Sequence, residues 1–183
     1  MENSSQNSVS LILKSEIDKS KTRKNLIRLF IKIVMVIILF YIFFGFVFGI
    51  KRMNTSFMSP NITEGDLLVY YRIDRNFELG DVVLIKNNNS QDVYRIVAKE
   101  GQTVDVNEEG KLTVDGYPEE HQVFYLTESD ENSQIKFPYQ VEEGKYFVMN
   151  DYRLEKSDSR TFGTIYKDSI LGKVIGKLQI RNI

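Results

Sequence analysis

Two serines bracket an aromatic in the stretch Ser56-Phe57-Met58-Ser59-Pro60, which runs on to Glu64-Gly65-Asp66. A serine hydroxyl attacks a carbonyl only when a neighbouring base takes its proton. His121 is the single histidine, so a Ser-His-Asp triad has one candidate base at most. It lies beside Glu119 and Glu120 in a polar stretch and reads as a surface residue. The chain has no cysteine, which excludes thiolate chemistry, disulfides and cysteine-bound zinc. One histidine cannot make a histidine metal cluster, and the acidic pairs lack the spacing of a calcium loop. No metal or cofactor is called for. A lysine amine, made neutral by burial, is the remaining kind of base. Lys86, Lys99 and Lys156 are the amines to weigh.

The elements that must position these groups begin with a membrane segment. Ile33 to Ile50 is an 18-residue run without a charge, and Leu26–Ile31 extend it with Arg28 and Lys32 able to snorkel. At about 1.5 Å per residue the run spans roughly 27 Å, close to a bilayer's hydrocarbon thickness. Aliphatic and aromatic residues cover every face, which suits an uncleaved anchor better than a buried soluble helix. Residues 1–32 hold seven basic and three acidic residues, so residues 33–183 carry a net charge of −5. The basic flank places residues 1–32 in the cytoplasm and residues 51–183 outside, as a single-pass cell-membrane protein. The organisation expected is a basic tail over 1–25, a transmembrane anchor over 26–50 and an outer domain over 51–183. Ser10–Ile17 reads either as a short amphipathic helix or as part of a disordered tail. An acidic outer domain gives no support to nucleic-acid binding.

The outer domain patterns as strands. Residues 66–71, 81–85 and 92–97 are short β-branched and aromatic runs, with Asn87-Asn88-Asn89 as a turn. Residues 103–106 and 111–114 alternate across Glu109-Gly110 as a hairpin, Asp115-Gly116 makes the next turn, and 145–149 and 172–178 supply further strands. Residues 119–141 are polar and poorly periodic, which predicts an insertion or lid. The fold class expected is mainly β, an irregular barrel or sandwich of antiparallel sheets behind one N-terminal transmembrane helix.

Several of these segments, in order, resemble the type I signal peptidases. The family's active-site motif is Ser-Met-x-Pro, matched here by Met58 and Pro60, with Gly65-Asp66 at the expected distance. Gly80-Asp81-Val82-Val83 is similar to the family's Gly-Asp-Val-Val strand. Arg95-Ile96-Val97-Ala98-Lys99-Glu100-Gly101-Gln102 is similar to its Arg-Val-Ile-Gly-x-Pro-Gly-Asp. Gly110–Gly116 resembles its Gly-x-Leu-x-Val-Asn-Gly hairpin, and Asp151-Tyr152-Arg153 with Asp158-Ser159-Arg160 and Phe162-Gly163 resembles its final block. The resemblance covers most of residues 26–178 and implies antiparallel sheets with a groove where an extended signal peptide adds as a strand. It further implies that Asp151 pairs with Arg95 and Asp158 with Arg160.

The family cleaves with a Ser/Lys dyad, and the residues that would react are replaced. Phe57 stands at the nucleophile position, Tyr94 at the base position and Lys156 where a serine orients the base. A phenol with a pKa near 10 is a poor proton acceptor at neutral pH. Two readings follow. One is a non-catalytic, membrane-anchored relative of the kind found beside sortases in Gram-positive bacteria. It would assist pilus assembly by holding a pilin segment, a signal-peptide-like strand or a sortase in a groove lined by Phe57, Met58, Pro60 and Tyr94. Gly65, Asp66, Arg95, Asp151, Arg153, Asp158 and Arg160 would be its scaffold. The other reading is an active signal peptidase with a relocated dyad, Ser56 with Lys86 or Lys156. Lys99 lies an odd number of residues from Tyr94, which on one unbroken strand turns it to the opposite face.

Overall fold

The computed structural model describes residues 2–87, 90–119, 125–127 and 135–179, and the chain divides into two units at Phe46–Val47. The first unit is one helix, α1, which spans Glu2–Val47 and so covers both the expected tail and most of the expected anchor. Its stretch Arg23–Val47 is long and apolar enough to cross a membrane, with a mean hydropathy of 2.7. Side chains from Arg23 to Phe46 are exposed on all faces, as a helix solvated by lipid requires. The helix ends three residues before the apolar run does. Phe48–Arg52 instead form β1, because β2 (Leu67–Tyr71) offers them a complete ladder from Phe48↔Tyr71 to Arg52↔Leu67. Hydropathy alone could not place that boundary.

The second unit is two antiparallel sheets. The larger holds β1, β2, β3 (Val82–Asn87), β4 (Ser90–Lys99), β9 (Lys145–Met149), β10 (Ile165–Tyr166) and β11 (Ile170–Leu178), in the order β1-β2-β11-β3-β4-β9-β10. The smaller holds β5 (Thr103–Val106), β6 (Leu112–Val114), β7 (Tyr117–Pro118) and β8 (Tyr139–Gln140), in the order β7-β6-β5-β8. The β6–β7 turn has Asp115 and Gly116 both at positive φ, as a tight two-residue hairpin needs. Residues 120–124 and 128–134, most of the expected insertion, lie outside the described residues, and so does His121. The described part of that stretch is ordered by contacts: β8 pairs with β5, Thr127 N donates to Gly110 O, and Ile135 is buried against the small sheet.

Alternation along β3 and β4 separates two cores. Leu84 and Val93 face one side of the large sheet with Met53, Met58, Ile62, Leu68 and Tyr70. Val83, Ile85, Tyr94 and Ile96 face the other, with Phe77, Val148 and Ile170. Between Ile96 and Ala98 the β4–β9 register slips, and Val97 and Ala98 both join a third core shared with the small sheet. A bulge of this kind re-aims every later side chain on its strand.

Candidate functional site

The segment between β1 and β2 carries Phe57. Its loop is closed at the base by Met53 N to Asp66 O and Gly65 N to Met53 O. Gly65 has φ +92°, which a side chain rarely adopts, and this bend lets the Asp66 carboxylate accept from Thr63 N at 3.0 Å. Gly65 and Asp66 thus fix the loop's shape. Met58 is fully buried and plugs the core beneath it, while Phe57 and Ser59 are half-buried and Ser56 and Pro60 exposed.

Tyr94 stands in mid-β4, 5% exposed, with its ring edge-on to Phe162 at 5.7 Å. Burial first, then the nearby Asp92, Asp158 and Glu155 carboxylates, push its phenol well above the ordinary 10. It stays protonated at any physiological pH and cannot act as a base. The expectation that Phe57, Met58, Pro60 and Tyr94 line one groove needs correction. Met58 packs with Val93 and Tyr94 packs on the opposite sheet face, because adjacent strand residues point apart. Both are core residues. A small cleft of about 40 Å³ lies instead among Lys51, Met53, Asn54, Thr55, Gln91, Asp92 and Val93, beside the Phe57 loop.

Ionic contacts hold the segment from 150 to 160. Arg95 Nε and Nη2 donate to the two Asp151 oxygens at 2.7 and 2.6 Å, and Arg95 Nη1 donates to Gly80 O. Asn61 Nδ2 donates to the same carboxylate, tying the Phe57 loop to it. Burial opposes the Arg95 charge, but Asp151 outweighs it and holds the guanidinium's pKa above its ordinary value. Arg160 donates to both Asp158 oxygens with both side chains fully buried, and Asp158 also accepts from Asn150 N. Arg153 is fully buried, and its Nη2 donates to both Glu119 oxygens at 2.7 Å. Glu119, Asn61 and Tyr152 were not singled out from the sequence. An acid in an aperiodic stretch carries no signal for a partner 34 positions away. Tyr152 N donates to Phe57 O at 2.9 Å, so this segment touches the Phe57 loop on one side. The Glu155 and Asp158 carboxylates of the same segment act electrostatically on Tyr94.

The remaining candidates are dispersed. Lys86 is exposed at the end of β3, and Lys156 is half-buried, its carbonyl accepting from Asp158 N. The bulge breaks the parity that would turn Lys99 away from Tyr94, and the Lys99 amine is engaged by Glu78 at 3.0 Å.

The family model for signal peptidase, peptidase S26, matches residues 26–178. Signal peptidase I of Bacillus licheniformis is 29% identical over 170 residues, covering 85% of this chain and 90% of that protein. Signal peptidase I T of Bacillus subtilis is 30% identical over 155 residues, covering 76% and 78%. A protein named inactive signal peptidase IA, from Staphylococcus aureus, is 27% identical over 158 residues, covering 82% and 90%. A solved signal peptidase I from Enterococcus faecalis aligns over 54% of this chain and 97% of its own, at 21% identity and a TM-score of 0.44. With a buried Arg/Asp frame around a loop that keeps Met58 and Pro60, and a match over residues 26–178, the chain belongs to the signal peptidase S26 family.

Proposed function

We propose that this chain is a membrane-anchored, non-hydrolysing signal peptidase relative that holds an extended partner segment, and that its setting is sortase-dependent pilus assembly. The observation that carries the reading is the pair Phe57 and Tyr94. One offers no nucleophilic atom, and the other is a buried phenol that keeps its proton. Loss of both, with the supporting ion pairs retained, leaves a scaffold able to bind and unable to activate a hydroxyl. A relative named inactive signal peptidase IA is consistent with such conversion. The partner segment, a pilin strand or a signal-peptide-like stretch, lies in the cleft between Met53–Thr55 and Gln91–Val93 and adds main-chain hydrogen bonds there.

The test uses the full chain in lipid nanodiscs with a preprotein carrying an Ala-x-Ala site. No cleavage is expected, with or without Ser56→Ala. Cleavage that disappears in Ser56→Ala, Lys86→Ala or Lys156→Ala would establish a relocated dyad and sink the non-hydrolysing reading. The chain is further expected to restore pilus polymerisation in a strain lacking its gene. The cleft-filling variant Gln91→Trp is expected to fail there, and equal rescue by both would remove the cleft from the model.

A further inference from the structure

The cleft beside the Phe57 loop has an apolar floor and polar walls. Met53 and Val93, 4% and 2% exposed, make the floor. Lys51, Asn54, Thr55, Gln91 and Asp92 complete the lining, each half-buried or exposed. Among the described residues, the side chains of Lys51, Asn54, Thr55 and Gln91 make no hydrogen bond or ion pair. Asp92 accepts from Ser90 Oγ on Oδ2 at 2.6 Å, and its Oδ1 has no partner among the described residues. Water satisfies these groups in the free chain, so they cost nothing to keep and stay available to a ligand. The main chain is open on both sides as well. Asn54 and Thr55 make no main-chain hydrogen bond among the described residues. β9 covers β4 only from Arg95 onward, so Gln91–Val93 keep the edge that faces away from β3.

We propose that this cleft selects a serine in the partner segment, its hydroxyl donating to Asp92 and accepting from the Gln91 or Asn54 amide. The inference rests on the reading of the cleft as the place where an extended segment is held. Two open main-chain edges suit an extended peptide, and the side chain that drops between them meets the lining. Size sets the first limit. The cleft holds about 40 Å³, and a water takes about 30 Å³, so the room is for one or two non-hydrogen atoms. Glycine, alanine and serine fit, and longer or branched side chains do not. Polarity sets the second. A hydroxyl both donates and accepts, so it replaces the water that it displaces from the walls. The methyl of an Ala-x-Ala segment displaces the same water and returns no hydrogen bond. Charge gives no advantage to an ion, because Lys51 and Asp92 are of opposite sign. The serine preference separates a serine-bearing partner strand from an ordinary signal peptide.

The probes are fluorescein-labelled peptides Val-Gln-Val-X-Val-Gln-Val, with X as serine, alanine or leucine. They are titrated by anisotropy against the full chain in nanodiscs, with empty nanodiscs as the blank. Valine and glutamine are too large for the cleft, so X sets the register. The serine peptide is expected to bind about fivefold more tightly than the alanine peptide, the size of one net hydrogen bond at a half-exposed site. The leucine peptide is expected to bind more than about tenfold more weakly than the serine peptide. In Asp92→Ala the serine-to-alanine ratio is expected to fall to about one, because the coupling between hydroxyl and carboxylate is gone. The ratio is read within one protein, so a change in its amount or folding does not move it. Equal binding of the serine and alanine peptides, or tighter binding of the leucine peptide, overturns the serine preference and leaves the holding role standing. A ratio that survives Asp92→Ala overturns the assignment of the preference to this cleft. Absence of saturable binding by every peptide overturns the holding role itself, and the preference with it.

Discussion

At the scale of single residues, the site is defined by what its side chains cannot do. Phe57 lacks a nucleophilic atom, and the Tyr94 phenol is held above its ordinary pKa by burial and neighbouring carboxylates. Restoring the hydroxyl alone therefore gives no base. The variant Phe57→Ser is expected to show no cleavage of an Ala-x-Ala preprotein between pH 6 and 9, and measurable turnover would show that another group serves as base. The Arg95–Asp151 pair makes a different prediction. The two side chains are 10% and 4% exposed, so Asp151→Ala strands a buried guanidinium. The expected loss is about 3–5 kcal/mol of unfolding free energy, and the double variant Arg95→Met with Asp151→Leu should lose less. Denaturant titration of the full chain reads both, and a loss under about 1 kcal/mol in Asp151→Ala would make the pair a surface contact. The pairing of these two residues was implied by the family resemblance. Glu119 as the partner of Arg153 was not, because the contact depends on where the small sheet places residue 119.

At the scale of elements, close approach and charge linkage decide how the strands fit. A Cβ on Gly172 would lie 2.4 Å from the backbone oxygen of Tyr71 and 2.9 Å from the Tyr70 ring. A backbone atom in a paired strand cannot move aside cheaply. On Gly176, in the same strand, a Cβ meets nothing within 4 Å. Gly172→Ala is therefore expected to destabilise by about 1–3 kcal/mol, and Gly176→Ala to be neutral or stabilising. Equal urea midpoints would refute the packing of Tyr70 and Tyr71 against β11. A second linkage joins β8 to the β9–β10 edge. Tyr139 approaches Thr164, whose hydroxyl donates to Glu142 at 2.8 Å, and Lys145 lies 3.4 Å from Glu142. Partial burial would raise the Glu142 pKa, but hydrogen bonds from Tyr139, a backbone amide and Thr164, with the Lys145 charge, outweigh it and hold it at about 2. A carboxylate depressed below its ordinary 4.5 contributes stability that is full above pH 4.5 and lost as pH falls toward 2. Glu142→Gln is expected to be less stable than the parent at pH 7, with the difference closing between pH 4.5 and 2. A difference constant across that range would show that the carboxylate charge contributes nothing.

At the scale of the molecule, one apolar helix and one two-sheet unit fit a membrane-anchored protein, and the charge pattern predicts a direction for it. The basic N-terminal segment is expected inside and the sheets outside. The natural absence of cysteine gives a background-free assay. In intact cells a membrane-impermeant maleimide is expected to label Glu143→Cys, which is exposed, and not Ser5→Cys. Labelling of Ser5→Cys alone would invert the topology.

The sequence by itself determined the apolar helix, the mainly β character of the remainder, the family's motif order and the absence of a Ser/Lys pair at the matched positions. These depend on local hydropathy, period-two alternation and residue identity, all of which are written along the chain. Only the tertiary structure decided that α1 yields to β1 at Phe48, where strand pairing competes with helix propagation. It also decided that Met58 and Tyr94 lie on opposite faces of one sheet, and that the bulge after Ile96 breaks the parity argument for Lys99. Each of these rests on which strands meet and in what register, and a chain sets that only when its long-range hydrogen bonds and cores form together.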